Sequence, residues 1–172
     1  MTEQLAVNFD TDPSISVSVG TIAYDTSIED SIVEKTYSGP YSNPRVDALP
    51  GYALTAFAAM TSVDFKNVTS IGSYALSTCS AMTSAKFPKA SSVATYAFRN
   101  CTALAELNFY SADRTTIPTL ANSNALTGTA IASGNGYIVI NDDLVDSLKA
   151  ASNWVTYSSQ IIGHTDWQAL QA

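Results

Sequence analysis

From Gly51 to Phe109 the apolar residues keep fixed addresses at a period of 22. The stretches GYALTAFAAMTSVDF (51–65), SYALSTCSAMTSAKF (73–87) and TYAFRNCTALAELNF (95–109) align without a gap. The matched positions are Tyr52, Tyr74 and Tyr96, then Ala53, Ala75 and Ala97, then Leu54, Leu76 and Phe98, then Phe57, Cys79 and Cys101. Further along come Met60, Met82 and Leu104, then Val63, Ala85 and Leu107, and finally Phe65, Phe87 and Phe109. A half copy precedes the first full one, because Val46 and Leu49 stand before Tyr52 as Val68 and Ile71 stand before Tyr74.

A period longer than any helix or strand repeat predicts a stack of coils, each burying its apolar side chains against the coils above and below. The alternation in Val63-Asp64-Phe65 and Leu107-Asn108-Phe109 predicts one short strand per coil, paired in parallel with its neighbours. The YALSTCSAM-type segment is then the return path, expected as a helical turn. On this reading Thr61, Asp64, Lys86, Glu106 and Asn108 point outward between buried positions and form the candidate binding surface.

The flanks carry other patterns. In SISVSVGTIAY (14–24) Ile15, Val17 and Val19 alternate with serines, a period of two that predicts a strand, continued by Ile22 and Tyr24 as a candidate assembly strand. Leu5, Val7 and Phe9 repeat the alternation before the turn signal DTDPS. Pro40, Pro44 and Pro50 punctuate a loop expected as a hinge or domain boundary. At the other end, Tyr137, Val139 and Ile140 predict a last strand. Asn141 is expected to N-cap a helix that has Asp142 and Asp143 in its first turn and Leu144, Val145 and Leu148 on one face. With Trp154 and Tyr157 this segment would cap the open end of the stack. The domain reading is 1–43, a β-rich attachment segment; 44–135, the array; and 136–172, the cap and tail.

Tyr-Ala-Phe/Leu, Asn/Thr-Cys, Ser/Thr-Ala-Leu/Met and an apolar strand ending in Phe together resemble the BspA-type leucine-rich repeat, also called the Treponema pallidum type. The resemblance covers about residues 44 to 130, with IPTLANSNALTG (117–128) as a degenerate coil and residues 136–161 resembling the closing segment of such arrays. Phe57 departs from the usual Cys, and two copies carry Leu where the family has Phe. The fold class implied is an α/β solenoid of parallel strands behind a β-rich N-terminal segment and closed by a capping helix.

Hydrophobic residues make up 46% and charged residues 13% of the 172 residues, so the chain is globular with an exterior built from Ser, Thr and Asn. The net charge of −7 is uneven: residues 1–50 hold eight acids and two bases, and residues 51–140 hold three acids and five bases. No basic stripe suits nucleic acid, and the acidic first segment suits a basic protein surface. The first residues lack a positive and an apolar signal region, and no apolar run reaches the length that spans a bilayer. Synthesis in the cytoplasm without export is therefore the expectation.

Catalytic patterns are thin. His164 lies two residues from Asp166, but no nucleophile motif accompanies them, so an exposed tail histidine is expected. Asp10 and Asp12 before Pro13 lack the rest of a calcium loop, and the GNG at 134–136 lacks the rest of a phosphate loop; both are turn signals. Cys79 and Cys101 have neither metal nor redox spacing and are expected as buried small residues in adjacent coils, near disulfide range. The expected protein is not an enzyme and takes no cofactor or metal.

The resemblance, with the missing export signal, implies a bacteriophage virion structural protein: a capsid decoration, head fibre or tail-associated protein. It would join other virion proteins through its first segment, oligomerise with three-fold symmetry and display the repeats to a host-surface glycan or protein. The alternative is a BspA-type adhesin on a bacterial cell surface.

Overall fold

The computed structural model describes residues 35–172, and the assembly strand Ile15 to Tyr24 lies outside them. Among the described residues ten short strands build two parallel sheets. The larger takes β1 (Gly39–Ser42), β3 (Met60–Asp64), β5 (Ser84–Lys86), β7 (Glu106–Asn108), β9 (Tyr137–Ile140) and β10 (Ile161–Gly163) in that order. The smaller takes β2 (Ala48–Leu49), β4 (Ser70–Ile71), β6 (Ser92–Val93) and β8 (Thr119–Leu120). In the larger sheet Val63 faces Ala85 and Ala85 faces Leu107, so residues of one repeat address become lateral neighbours.

Each coil thus has two strands where one was expected, and its return path is not helical. Tyr52, Tyr74 and Tyr96 adopt φ of 63°, 58° and 60°, and Ala56, Thr78 and Asn100 adopt 66°, 64° and 60°. Left-handed residues at both ends of the segment prevent a continuous helix. What compensates is a third ladder between coils. Leu54 N–H donates to Ala75 O at 2.6 Å, Leu76 N–H to Ala97 O at 2.9 Å, and Phe98 N–H to Ala125 O at 2.9 Å. All three sides of a coil therefore satisfy their backbone on the next coil.

The core is the repeat read through space. Phe65, Phe87 and Phe109, with Met60, Met82 and Leu104, are fully buried, and the Phe65 and Phe87 rings stack at 5.7 Å. The tyrosine column stacks at 5.0 and 4.9 Å, close to the spacing of paired strands. Cys79 and Cys101 are buried free thiols whose Sγ–H groups donate to Leu54 O and Leu76 O, each in the preceding coil, at 3.1 and 3.0 Å. The neighbouring Cys79 thiol first, and burial second, hold the Cys101 thiol in its protonated form.

The Ser/Thr-rich exterior has a structural reason. Thr69 Oγ1 donates to Asp47 O at 3.0 Å, Ser91 Oγ to Thr69 O at 3.0 Å and Thr119 Oγ1 to Ser91 O at 3.2 Å, forming a column of hydroxyls on carbonyls. A period that places every residue beside its own copy would also set like charges side by side. Short neutral donors avoid that repulsion.

β1 joins the larger sheet beside β3, and the proline segment that was expected as a hinge or domain boundary holds β1 and β2. The degenerate coil is a full coil with an inserted loop: Leu76 bonds twenty-one residues on, whereas Phe98 bonds twenty-seven on. Arg114 anchors that loop, donating to Thr116 O, Pro88 O and Ala90 O at 2.9, 3.0 and 2.7 Å.

The closing segment continues the larger sheet through β9 and β10, which a 3-10 turn at Asp142–Leu144, helix α1 (Val145–Ala150) and a 3-10 stretch at Trp154–Gln160 connect. Trp154 is fully buried against Phe109 at 5.8 Å and donates from Nε1 to Pro118 O at 2.7 Å. Asn141 makes no capping bond; its amide donates to Ser111 O at 2.8 Å and ties the inserted loop to the end of β9.

Candidate binding groove

The outward rows of the larger sheet are in register. Asp64 pairs with Lys86 and Lys86 with Asn108, while Ser62, Ser84, Glu106 and Tyr137 form the neighbouring row. Changing the residue type along each row avoids stacking like charges.

Over these rows folds α2 (His164–Ala169), which leaves β10 directly. Asp142 sets its start: Oδ1 accepts the Thr165 N–H at 3.1 Å and Oδ2 accepts the Thr165 hydroxyl at 2.6 Å. These two bonds hold the Asp142 carboxyl below its ordinary value of 3.8. Gly163 makes the approach possible, since a Cβ there would lie 2.1 Å from Asp142 Oδ1. The helix then lays His164 flat on Tyr110, with ring centres 3.5 Å apart and planes 4° apart, and Trp167 follows at 5.5 Å. Trp167 in turn receives the Lys86 ammonium 5.8 Å from its ring centre.

His164 is therefore not an exposed tail residue. It is half-buried in an aromatic stack, and its Nδ1 is buried without a partner among the described residues. Asp166, which sequence spacing brought near it, is exposed. The Thr165 hydroxyl between them is donated to Asp142, and among the described residues no cluster of three metal-ligating side chains occurs.

Trp167 divides the covered face into two depressions. One, of about 340 Å³, is lined by Asp64, Lys66, Lys86, Asn108, Tyr110, His164 and Trp167. The other, of about 580 Å³, lies between Ser84, Glu106, the 134–137 turn, Trp167 and Gln171. Of the five surface candidates, Asp64, Lys86 and Asn108 share the first depression and Glu106 lines the second. Thr61 lines neither; its carbonyl accepts the Thr83 N–H and hydroxyl at 2.8 and 3.2 Å. Asn108 departs from a solvated strand residue: it is buried, donates to Glu106 Oε1 at 3.0 Å and accepts the Tyr110 N–H at 3.0 Å.

The family model for the BspA type leucine rich repeat region matches residues 42–141, in six copies. The chain belongs to the BspA-type leucine-rich repeat family. No curated protein matches it. Membership supports a repeat protein that works by protein–protein interaction or adhesion. The matched residues include the floor of the groove but not its roof, because His164 and Trp167 lie beyond residue 141. This BspA-type array thus acquires its walled site from the segment after the repeats.

Of the residues that alternation places on a common face, Asp64, Lys86, Glu106 and Asn108 line the depressions, while the residues of the roof were missed. Nothing in IIGHTDWQ announced that His164 and Trp167 would return to that face. The available signal was two planar side chains at i and i+3, which share one side of a helix.

Proposed function

We propose that this BspA-type array is a non-enzymatic attachment protein that holds its target in the groove beneath α2, and that it is carried on a bacteriophage particle. The observation that carries the binding reading is the groove itself: charged side chains and an aromatic ridge gathered under a helix that buries none of its own residues. A helix with no buried residue contributes little to the core, so its place over the sheet is better explained by the surface it creates.

Support for the particle setting comes from the first segment. Eight acids against two bases in residues 1–50, with hydrophobic alternation at Ile15, Val17 and Val19, suit docking on a basic virion protein and association into a three-fold oligomer. The second reading, an adhesin on a bacterial surface, is favoured by family membership and uses the same groove.

The test has two arms on the full chain. Val17→Asp with Val19→Asp should lower the mass seen by light scattering and abolish co-sedimentation with particles, leaving the array folded. Trp167→Ala should abolish binding of labelled protein to target cells. Unchanged oligomerisation and particle association in the first arm refute the virion setting. Unchanged cell binding in the second refutes the groove.

A further inference from the structure

We infer that the groove binds a short saccharide bearing a carboxylate, with the acidic sugar in the Lys66–Lys86 depression and a neutral neighbour beyond Trp167. The inference rests on the groove being the attachment site and names the chemistry it takes.

The floor excludes a strand-like peptide. It is the face of the interior strands β3, β5 and β7, each paired on both sides, so its backbone offers no ladder for an added strand to complete. It also lacks the continuous apolar trough in which an amphipathic helix would lie, since Asp64, Lys86 and Glu106 stand along it. A saccharide asks for something different: an aromatic face for the C–H side of a pyranose, and polar side chains around it for the hydroxyls. Trp167 lines both depressions and supplies the face as the Lys86 ammonium, 5.8 Å from its ring centre, swings to the ligand carboxylate, so sugars on either side of one linkage would share it. The stack of Trp167 on His164 and of His164 on Tyr110 holds the indole in place before any ligand arrives, which lowers the ordering cost of binding.

The charge selects the acidic member of the class. In the smaller depression two ammonium groups, Lys66 and Lys86, face one carboxylate, Asp64; among the described residues neither Lys66 nor Asp64 has an ion-pair partner. The Lys86 ammonium lies over the indole. A ligand carboxylate would meet the two ammoniums, while Asp64 accepts from ring hydroxyls. In the larger depression Ser84 and Glu106 supply neutral and accepting groups without a cation.

The experiment titrates the full chain with sialyllactose and trigalacturonate against lactose and a neutral trisaccharide, followed by tryptophan emission and calorimetry. Trp154 is fully buried, so a ligand-dependent change reports Trp167. The expected result is a preference for the acidic probes, a loss of about tenfold or more in Trp167→Ala, and a loss of the acidic preference alone in Lys66→Gln with Lys86→Gln. Equal affinity for acidic and neutral probes overturns the carboxylate assignment. A silent panel overturns the saccharide. If Trp167→Ala still abolishes cell binding, the groove reading survives that failure; if it does not, both fall.

Discussion

Phe87 offers the most direct measure of what the repeat contributes. Its ring is fully buried, stacks on Phe65 at 5.7 Å and meets Phe98 edge-on at 6.0 Å, so it has an aromatic partner in its own sheet layer and another on the return path. Truncating a buried Phe to Ala costs about 3–5 kcal/mol, and the coil cannot collapse into the space because its backbone is bonded to coils on both sides. The upper part of that range, about 4 kcal/mol or more, is therefore expected for Phe87→Ala. Phe87→Leu keeps most of the volume but removes both ring contacts, and should cost about 1–2 kcal/mol.

Urea unfolding followed by far-ultraviolet circular dichroism measures both. With a slope on the order of 2 kcal/mol per molar, Phe87→Ala should move the midpoint down by about 2 M. The slope itself carries information, because a stack whose coils contact only their neighbours can divide at a weakened interface. A shallower slope in the Ala variant would mark that division. A loss below about 1 kcal/mol for Ala, or equal losses for Ala and Leu, would refute the argument that the ring column bonds coil to coil.

Three further outcomes are expected. Thr78 sits at φ 64° where the next coil has Asn100 at 60°; Asn accepts that conformation more readily, so Thr78→Asn should raise stability by about 0.5–1 kcal/mol in the same urea assay. Cys79 and Cys101 should react with a thiol reagent only after unfolding, so labelling in native buffer should be slow and should accelerate in denaturant. The Asp142 carboxyl is lowered below 3.8 by its bonds to Thr165, so its hold on α2 is fully present above that value and is lost as pH falls through the lower folded value. Acrylamide quenching of Trp167 should therefore rise only below about pH 4, and Asp142→Ala should show the raised quenching already at neutral pH.

How much was legible in the chain follows from where each interaction is encoded. The core was legible because every coil writes it again: Val63, Ala85 and Leu107 differ in size yet share an address, and the structure makes them lateral neighbours. The return path was not legible, because its decisive feature is a backbone angle at Tyr74 and Thr78, residue types that give no left-handed signal, and the angle is stabilised by carbonyls one coil away. The second sheet escaped for a related reason. Strands of two residues, such as Ser70–Ile71 and Ser92–Val93, are too short to show alternation and exist only because the coils are already in register.

The groove divides along the same line. Its floor inherits the period, so the register of Asp64, Lys86 and Asn108 follows from the repeat itself. Its roof comes from a segment that occurs once, positioned by Asp142 reaching across twenty-three residues to Thr165 through the space that Gly163 leaves open. A single-copy segment has no second instance to reveal which of its residues matter. In Asn141 the same ambiguity misled in the other direction, since a residue with the chemistry of a helix cap spends its amide on Ser111 instead. A repeat protein is thus most readable where it is most regular, while the proposed groove is completed by the part that breaks the pattern. For this chain that is the His164–Trp167 turn of α2. Substitutions confined to Lys86 and Glu106 should therefore retune the affinity of the site, whereas loss of Trp167 should remove the site.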